Sequence, residues 1–214
     1  MTDGEKHAHF KPKIAVSGAA ETGHCGDDAL DRALALGREI VTQGAILVTG
    51  ATTGFPLWVA RGAKEAGGTV IGVSPAESER EHVELYNLPL EYTDLIIYTG
   101  AGYSGRDILL TRSSDAVVCG CGRIGTIHEF TVAFEDGKPL GIYKGKWPTS
   151  DVIKFMIDNA HRPNENIVFE EDPKKLVEAL ISLVKKQKQE GYGLHTGGSD
   201  FYKECEGPEC RVIL

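Results

Sequence analysis

The chain has 214 residues, 41% hydrophobic and 25% charged, enough for one sizeable core in a single globular domain. A formal net charge of −8 excludes broad electrostatic binding to nucleic acid or to an anionic membrane, so an anionic ligand needs specific donors. No apolar run approaches a membrane span, and Met1 to Lys13 lacks the apolar segment of a secretory signal, so we expect a cytoplasmic protein.

Residues 1–12 read as a polar extension, 13–190 as the folded domain and 191–214 as a glycine-rich polar tail. Within the domain, apolar strand segments alternate with amphipathic helices, the pattern of βαβ units in a mainly parallel, doubly wound Rossmann-like sheet with helices on both faces. Lys13 to Gly18 is the first strand and Gly18-Ala-Ala-Glu-Thr-Gly23 a flexible loop. Asp27 or Asp28 caps a helix that runs to about Gln43 and stops at Gly44. Strand Ala45 to Thr49 leads into the turn Gly50-Ala-Thr-Thr-Gly54, and Pro56 opens a helix that ends at Gly67-Gly68. Thr69 to Val73 is the third strand, and the charged segment Pro75 to Thr93 reads as a solvated loop with a short helix.

Strand Leu95 to Tyr98 is followed by Gly100-Ala-Gly-Tyr-Ser-Gly105 and a helix carrying Arg106. The apolar run Ala116 to Cys119 predicts a central parallel strand; Gly122 and Gly125 let the backbone turn before Thr126 and Ile127 open the next helix. Glu129 lies about one helical turn after Gly125, so its carboxylate points back toward whatever sits on that turn. Pro139 to Tyr143 returns as a strand, Ile167 to Glu170 adds an edge strand, and Asp172-Pro173 starts a helix to about Gln189.

Five cysteines at positions 25, 119, 121, 205 and 210 form no closed disulfide framework and fit a reducing compartment. Cys119 and Cys121 read as packing residues, and no metal quartet is evident. Lys185-Lys186-Gln187-Lys188 is explained as a solvated helix end. Arg112 reads as a solvated or interface salt-bridge residue, His128 as a hydrogen-bonded side chain ahead of a general base, and Phe55 and Trp58 as packing in the core or a dimer interface ahead of stacking on a base.

Several glycine turns follow successive parallel strands and gather at the carboxyl edge of the sheet, where open α/β folds bind ligands. Free backbone N–H groups there attract phosphate, so a nucleotide or phosphosugar is expected. Neither the P-loop nor the strict dinucleotide fingerprint is present.

From Ile14 to Tyr143 the chain resembles the LOG-like proteins, and among them most closely the molybdenum-cofactor carrier branch. Three stretches carry the resemblance: Val48-Thr-Gly-Ala-Thr-Thr-Gly-Phe-Pro56, Arg61-Gly-Ala-Lys-Glu-Ala-Gly-Gly-Thr-Val-Ile-Gly-Val-Ser-Pro75, and Cys121-Gly-Arg-Ile-Gly-Thr-Ile-His-Glu129. The last occupies the place of the family's Pro-Gly-Gly-x-Gly-Thr-x-x-Glu motif, with Arg106 at the spacing of its arginine. The resemblance implies a Rossmann-like domain, a homodimer with sites near the subunit interface, and a nucleotide or nucleotide-like ligand; a higher homo-oligomer is the alternative, and no resident cofactor, nucleic-acid or membrane partner is expected, the last two on the acidic charge balance. Cys121 and Arg123 depart from the motif's proline and second glycine, so a bulky cation projects from a turn that usually exposes bare backbone. Ala51 likewise stands where the family often has glycine.

Two functions follow. In the first, a nucleoside 5′-monophosphate phosphoribohydrolase, Glu129 stabilises the oxocarbenium-like transition state while Arg106 binds phosphate or holds Glu129. Gly18, Gly50, Thr52, Gly54, Gly122, Arg123, Gly125 and Thr126 then form the phosphate and nucleotide site. In the second, the same fold carries or senses a nucleotide-like ligand such as molybdenum cofactor without cleaving it. Arg106 and Glu129 favour catalysis and the altered turn favours binding alone; hydrolysis is the first expectation.

Overall fold

The computed structural model describes residues 11–162 and 165–189. Both predicted terminal segments therefore fall wholly or largely outside the described residues, as do Cys205 and Cys210. In chain order the elements are β1 (Lys13–Ser17), α1 (Ala29–Thr42), β2 (Ile46–Thr49), α2 (Phe55–Glu65), β3 (Val70–Ser74), α3 (Glu79–Glu84) and β4 (Leu95–Tyr98). They continue with α4 (Gly102–Ser113), β5 (Ala116–Cys119), α5 (Ile124–Glu135), β6 (Leu140–Tyr143), α6 (Thr149–Asn159), β7 (Ile167–Glu170) and α7 (Pro173–Gln189).

All strand pairs are parallel, in the order β4-β3-β2-β1-β5-β6-β7, so this is a single Rossmann-like α/β domain. Alternation along the central strands assigns each residue to one of two cores. Ile14, Val16, Ala116 and Val118 pack under α1, α2 and α7. Ala15, Val117 and Cys119 pack under α4, α5 and α6. Helices α1 and α2 cross closely because Gly37 lies on the Val59 carbonyl and Gly62 on the Leu34 carbonyl, where a Cβ would collide. Among the described residues no helix is long and apolar enough to cross a membrane.

Chain direction reverses its progress across the sheet between β1 and β5. Successive strands step outward from β1 to β4, after which α4 carries the chain back to β5 beside β1. The register Ser17↔Cys119 brings the loops after both strands together: Gly120 N–H donates to Ser17 O at 2.9 Å and Ala19 N–H to Cys121 O at 2.7 Å.

Several expectations are corrected. Cys121 is not a packing thiol: it is disulfide-bonded to Cys25, 96 residues away in sequence, with Cα atoms 5.9 Å apart. Cys119 is a free, buried cysteine. Asp28 takes the position before α1, but its side chain makes no capping bond. Pro56 is the second residue of α2, and α5 starts at Ile124 rather than Thr126. Helix α6, which the sequence reading passed over, buries Ile153 with Met156 and Ile157 beside the second core. Lys188 reaches back along α7 to Asp115, 3.4 Å away, instead of standing in solvent. The charged middle segment is anchored by buried His82, whose Nδ1 lies 2.8 Å from Ser74 Oγ and whose Nε2 lies 3.0 Å from Pro89 O.

Because the α1–α2 contact is backbone against backbone at Gly37, no rotamer change can relieve a larger side chain there. Gly37→Leu should cost about 3 kcal/mol in urea unfolding, despite the better helix propensity of leucine. A loss below about 1 kcal/mol would contradict the close crossing.

Candidate functional site

A cavity of about 670 Å³ opens at the carboxyl ends of β1 and β2, between α4 and α5. This is the topological switch point, the crevice where open parallel sheets bind ligands. Ser17 and Gly18 lie at its base; Gly50 and Thr52 come from the turn after β2, Arg106 and Asp107 from α4, and Gly125, Thr126 and Glu129 from α5. Tyr86, Leu88 and Tyr103 form the outer wall, with the two tyrosine rings edge to face at 5.4 Å. The lining carries no cysteine or histidine.

The first turn of α5 is the most direct candidate for holding an anion. Arg123 precedes it without a side-chain cap, and the first helical bond is Ile127 N–H to Arg123 O at 3.2 Å. Helix geometry therefore leaves the N–H groups of Ile124, Gly125 and Thr126 without helical partners, at the positive end of the helix dipole and in the cavity wall. Arg123 itself turns aside to Glu21, with Nη1 2.8 Å from Oε2 across the rim. Both side chains are well exposed, so the pair is weak and an anion entering the cavity can compete for the guanidinium.

Deeper in, one arginine serves two buried carboxyl groups unequally. Arg106 Nε donates to Asp107 Oδ1 at 2.9 Å, and Nη1 donates to Gly50 O at 2.6 Å. Gly50 admits this arrangement because a Cβ would occupy the place of Nη1. Asp107 also meets His128, with Nδ1 3.0 Å from Oδ2, so His128 is a hydrogen-bonded side chain. Glu129 is 7% exposed, and the hydroxyl of Ser17 donates to its Oε2. Among the described residues no ion pair joins Arg106 to Glu129. Burial pushes the Glu129 carboxyl from 4.5 up to about 8; the charge of Arg106 opposes the rise and that of Asp107 adds to it.

Of the ten residues chosen from sequence, Gly18, Gly50, Thr52, Arg106, Arg123, Gly125, Thr126 and Glu129 lie in the cavity wall. Gly54 and Gly122 do not. Gly54, at φ +69°, sits against the carbonyls of Ala19 and Ala20. Gly122 N–H donates to Thr149 Oγ1 at 2.9 Å and its carbonyl accepts from the same hydroxyl at 3.0 Å, which takes that amide out of the phosphate-binding set. Gly18 has a packing role too, since a Cβ there would strike the Phe55 ring. Ala51 adopts φ +48°, a left-handed conformation that strains any residue with a Cβ. Ser17, Asp107 and Glu21 were missed. Ser17 was signalled only as a polar residue ending a buried strand, Asp107 as the neighbour of Arg106, and Glu21 not at all.

With this geometry in place, comparisons assign the family. The SLOG cluster4 family model matches residues 11–177. The molybdenum cofactor carrier protein of Chlamydomonas reinhardtii is 30% identical, with a TM-score of 0.65 over 82% of this chain and 99% of that one. The molybdenum cofactor binding protein of Rippkaea orientalis is 27% identical, with a TM-score of 0.65 over 83% of this chain and 98% of that one. A protein of Archaeoglobus fulgidus is 29% identical over 132 residues, 62% of this chain and 82% of its own length. A Rossmann-like sheet with its cavity at the β1/β5 switch point and a matching family model over most of its length place this chain in the SLOG cluster4 family.

Proposed function

We propose that this chain binds and carries a phosphorylated, nucleotide-like ligand such as molybdenum cofactor, without cleaving it. The observation that carries the reading is the open first turn of α5, whose unpaired amides line the cavity beside the buried carboxyl of Glu129. A carboxyl that holds its proton up to about pH 8 supplies no negative charge to a developing sugar cation at neutral pH, whereas the open end of α5 still accepts an anion. Likeness to the Chlamydomonas carrier and the Rippkaea binding protein supports the same reading. In it, the amides of Gly125 and Thr126 hold the phosphate and Arg123 leaves Glu21 to close over it. Arg106 fixes the Gly50 turn, and Tyr86 and Tyr103 face the ring system. A homodimer belongs to the same proposal, and sedimentation of the purified chain tests it.

Hydrolysis of a nucleoside 5′-monophosphate is the second reading, favoured by Arg106 and Glu129 sharing one cavity with the α5 terminus. If it operates, the active form is the ionised carboxylate, so base release should rise with pH through about 8 and vanish in Glu129→Gln.

The deciding experiment incubates the protein with molybdenum cofactor released from a molybdoenzyme and, separately, with a panel of nucleoside 5′-monophosphates. Retained molybdenum is measured by mass spectrometry and free base by chromatography. The carrier reading predicts stoichiometric molybdenum and no base at any pH. Base release without molybdenum retention would overturn it. Arg123→Ala should weaken retention roughly tenfold, the worth of one charge-assisted contact, and Glu21→Gln should strengthen it by freeing the guanidinium.

The raised carboxyl also has a stability signature. The Glu129 proton stabilises the fold fully below the unfolded range near 4.5, and this contribution is lost as pH rises toward about 8. Glu129→Gln, which cannot ionise, should therefore gain in melting temperature relative to wild type as the pH is raised from 5 to 9. A difference that does not change with pH would contradict the raised value.

A further inference from the structure

We propose that His24, Cys25 and Cys121 form a redox-dependent site for one thiophilic cation of the Zn(II) or Cu(I) class. The inference goes beyond the proposed function and does not rest on it, since none of the three side chains lines the cavity. Nε2 of His24 lies 3.7 Å from Cys121 Sγ and 4.0 Å from Cys25 Sγ, and the three donor atoms all fall within 4.8 Å of one another. Tetrahedral ligation with metal–sulfur bonds of about 2.3 Å and a metal–nitrogen bond of about 2.0 Å places sulfur and nitrogen roughly 3.6 Å apart and the two sulfurs roughly 3.8 Å apart. The imidazole already stands at about that distance from Cys121 Sγ and slightly farther from Cys25 Sγ, at 4.0 Å. Only the sulfur pair must part.

A disulfide has no need of a flanking imidazole, and this is what points to ligation. The ring comes from the exposed loop after β1, and its other neighbour is Gly122 O at 3.4 Å, a weak contact that a cation can replace. The two sulfurs come from loops held together by the β1–β5 pairing, so the site is preformed up to one bond. Two thiolates and one imidazole are a soft donor set that leaves a further position open to water.

The two states exclude each other. A dithiol reductant supplies two electrons and two protons: the Cys25–Cys121 bond breaks, two thiols form, and the reductant becomes a disulfide. Cation binding then releases the two thiol protons to solvent, and the neutral imidazole donates its lone pair. Oxidation of the two thiolates back to the disulfide, with the electrons passing to a disulfide oxidant, expels the cation.

The test uses the full chain with Cys205→Ser and Cys210→Ser, because those cysteines could bind metal on their own. Zn(II) is titrated against a chromophoric chelator, and Co(II) serves as a spectroscopic probe of thiolate ligation. The reduced protein should bind one equivalent with thiolate-to-Co(II) absorption, and the oxidised protein none. Cys25→Ser should abolish the absorption. His24→Ala, at an exposed position, should weaken Zn(II) binding by about tenfold or more. If Cys25→Ser fails to fold, judged by its melting curve, His24→Ala alone decides. Absence of binding by the reduced protein, or binding indifferent to His24→Ala, would overturn the proposal.

Discussion

The pairing of β1 with β5 is the constraint on which the rest of the molecule depends. All of their residues but Lys13 are buried, and their register sets Ser17 opposite Cys119 at the carboxyl edge. From that one alignment follow the contact between Ser17 and Glu129, the backbone bond from Ala19 to Cys121, and the disulfide between Cys25 and Cys121. Phe55 completes the junction. It is fully buried against Gly18 and Gly120, the residues that follow the two strands, so the start of α2 is fixed to the same point. A slip of one residue would turn every inward side chain of β1 toward the other core and dismantle the cavity with it.

The electrostatics of the cavity come from a shortage of positive charge. Arg106 is the buried cation, and Asp107 takes it by a direct ion pair while His128 supports the second oxygen. Glu129 receives a hydroxyl donor instead of a charge. Removing a carboxylate from water without a full counter-charge is costly, and holding a proton is the cheaper state. The cavity thus sets a carboxyl whose protonated form burial favours beside an open helix end and an Arg123 held only by an exposed ion pair. That combination suits holding a phosphate-bearing molecule better than generating a sugar cation. An anionic ligand would itself keep Glu129 protonated, since added negative charge raises the pKa further.

Much of this was legible in sequence because the strands are short, apolar and bounded by polar or glycine-bearing turns. Leu95 to Tyr98, Ala116 to Cys119 and Ile167 to Glu170 are read with the observed bounds. The inward direction of Glu129 was legible too, since one helical turn from Gly125 is a matter of local geometry. What escaped depends on partners distant in the chain. The Gly122 amide looks free until Thr149 of α6 is placed beside it, and α6 itself was passed over although Ile153, Met156 and Ile157 are spaced for a helix face. Cys25 and Cys121 are 96 residues apart and meet only through the β1–β5 pairing. Arg106 was assigned to phosphate or to Glu129, and adjacency alone does not decide that Asp107 takes it by a direct ion pair.

The central claim is that Glu129 is neutral in the ligand-free cavity, and infrared difference spectroscopy of the carboxyl C=O stretch tests it most directly. Wild type minus Glu129→Gln isolates the band of this one group. The account predicts a protonated carboxyl band that persists through neutral pH and disappears only with a midpoint near 8. A band already lost in the ordinary carboxylate range would show that Glu129 is ionised, and would return the cavity to a hydrolytic reading.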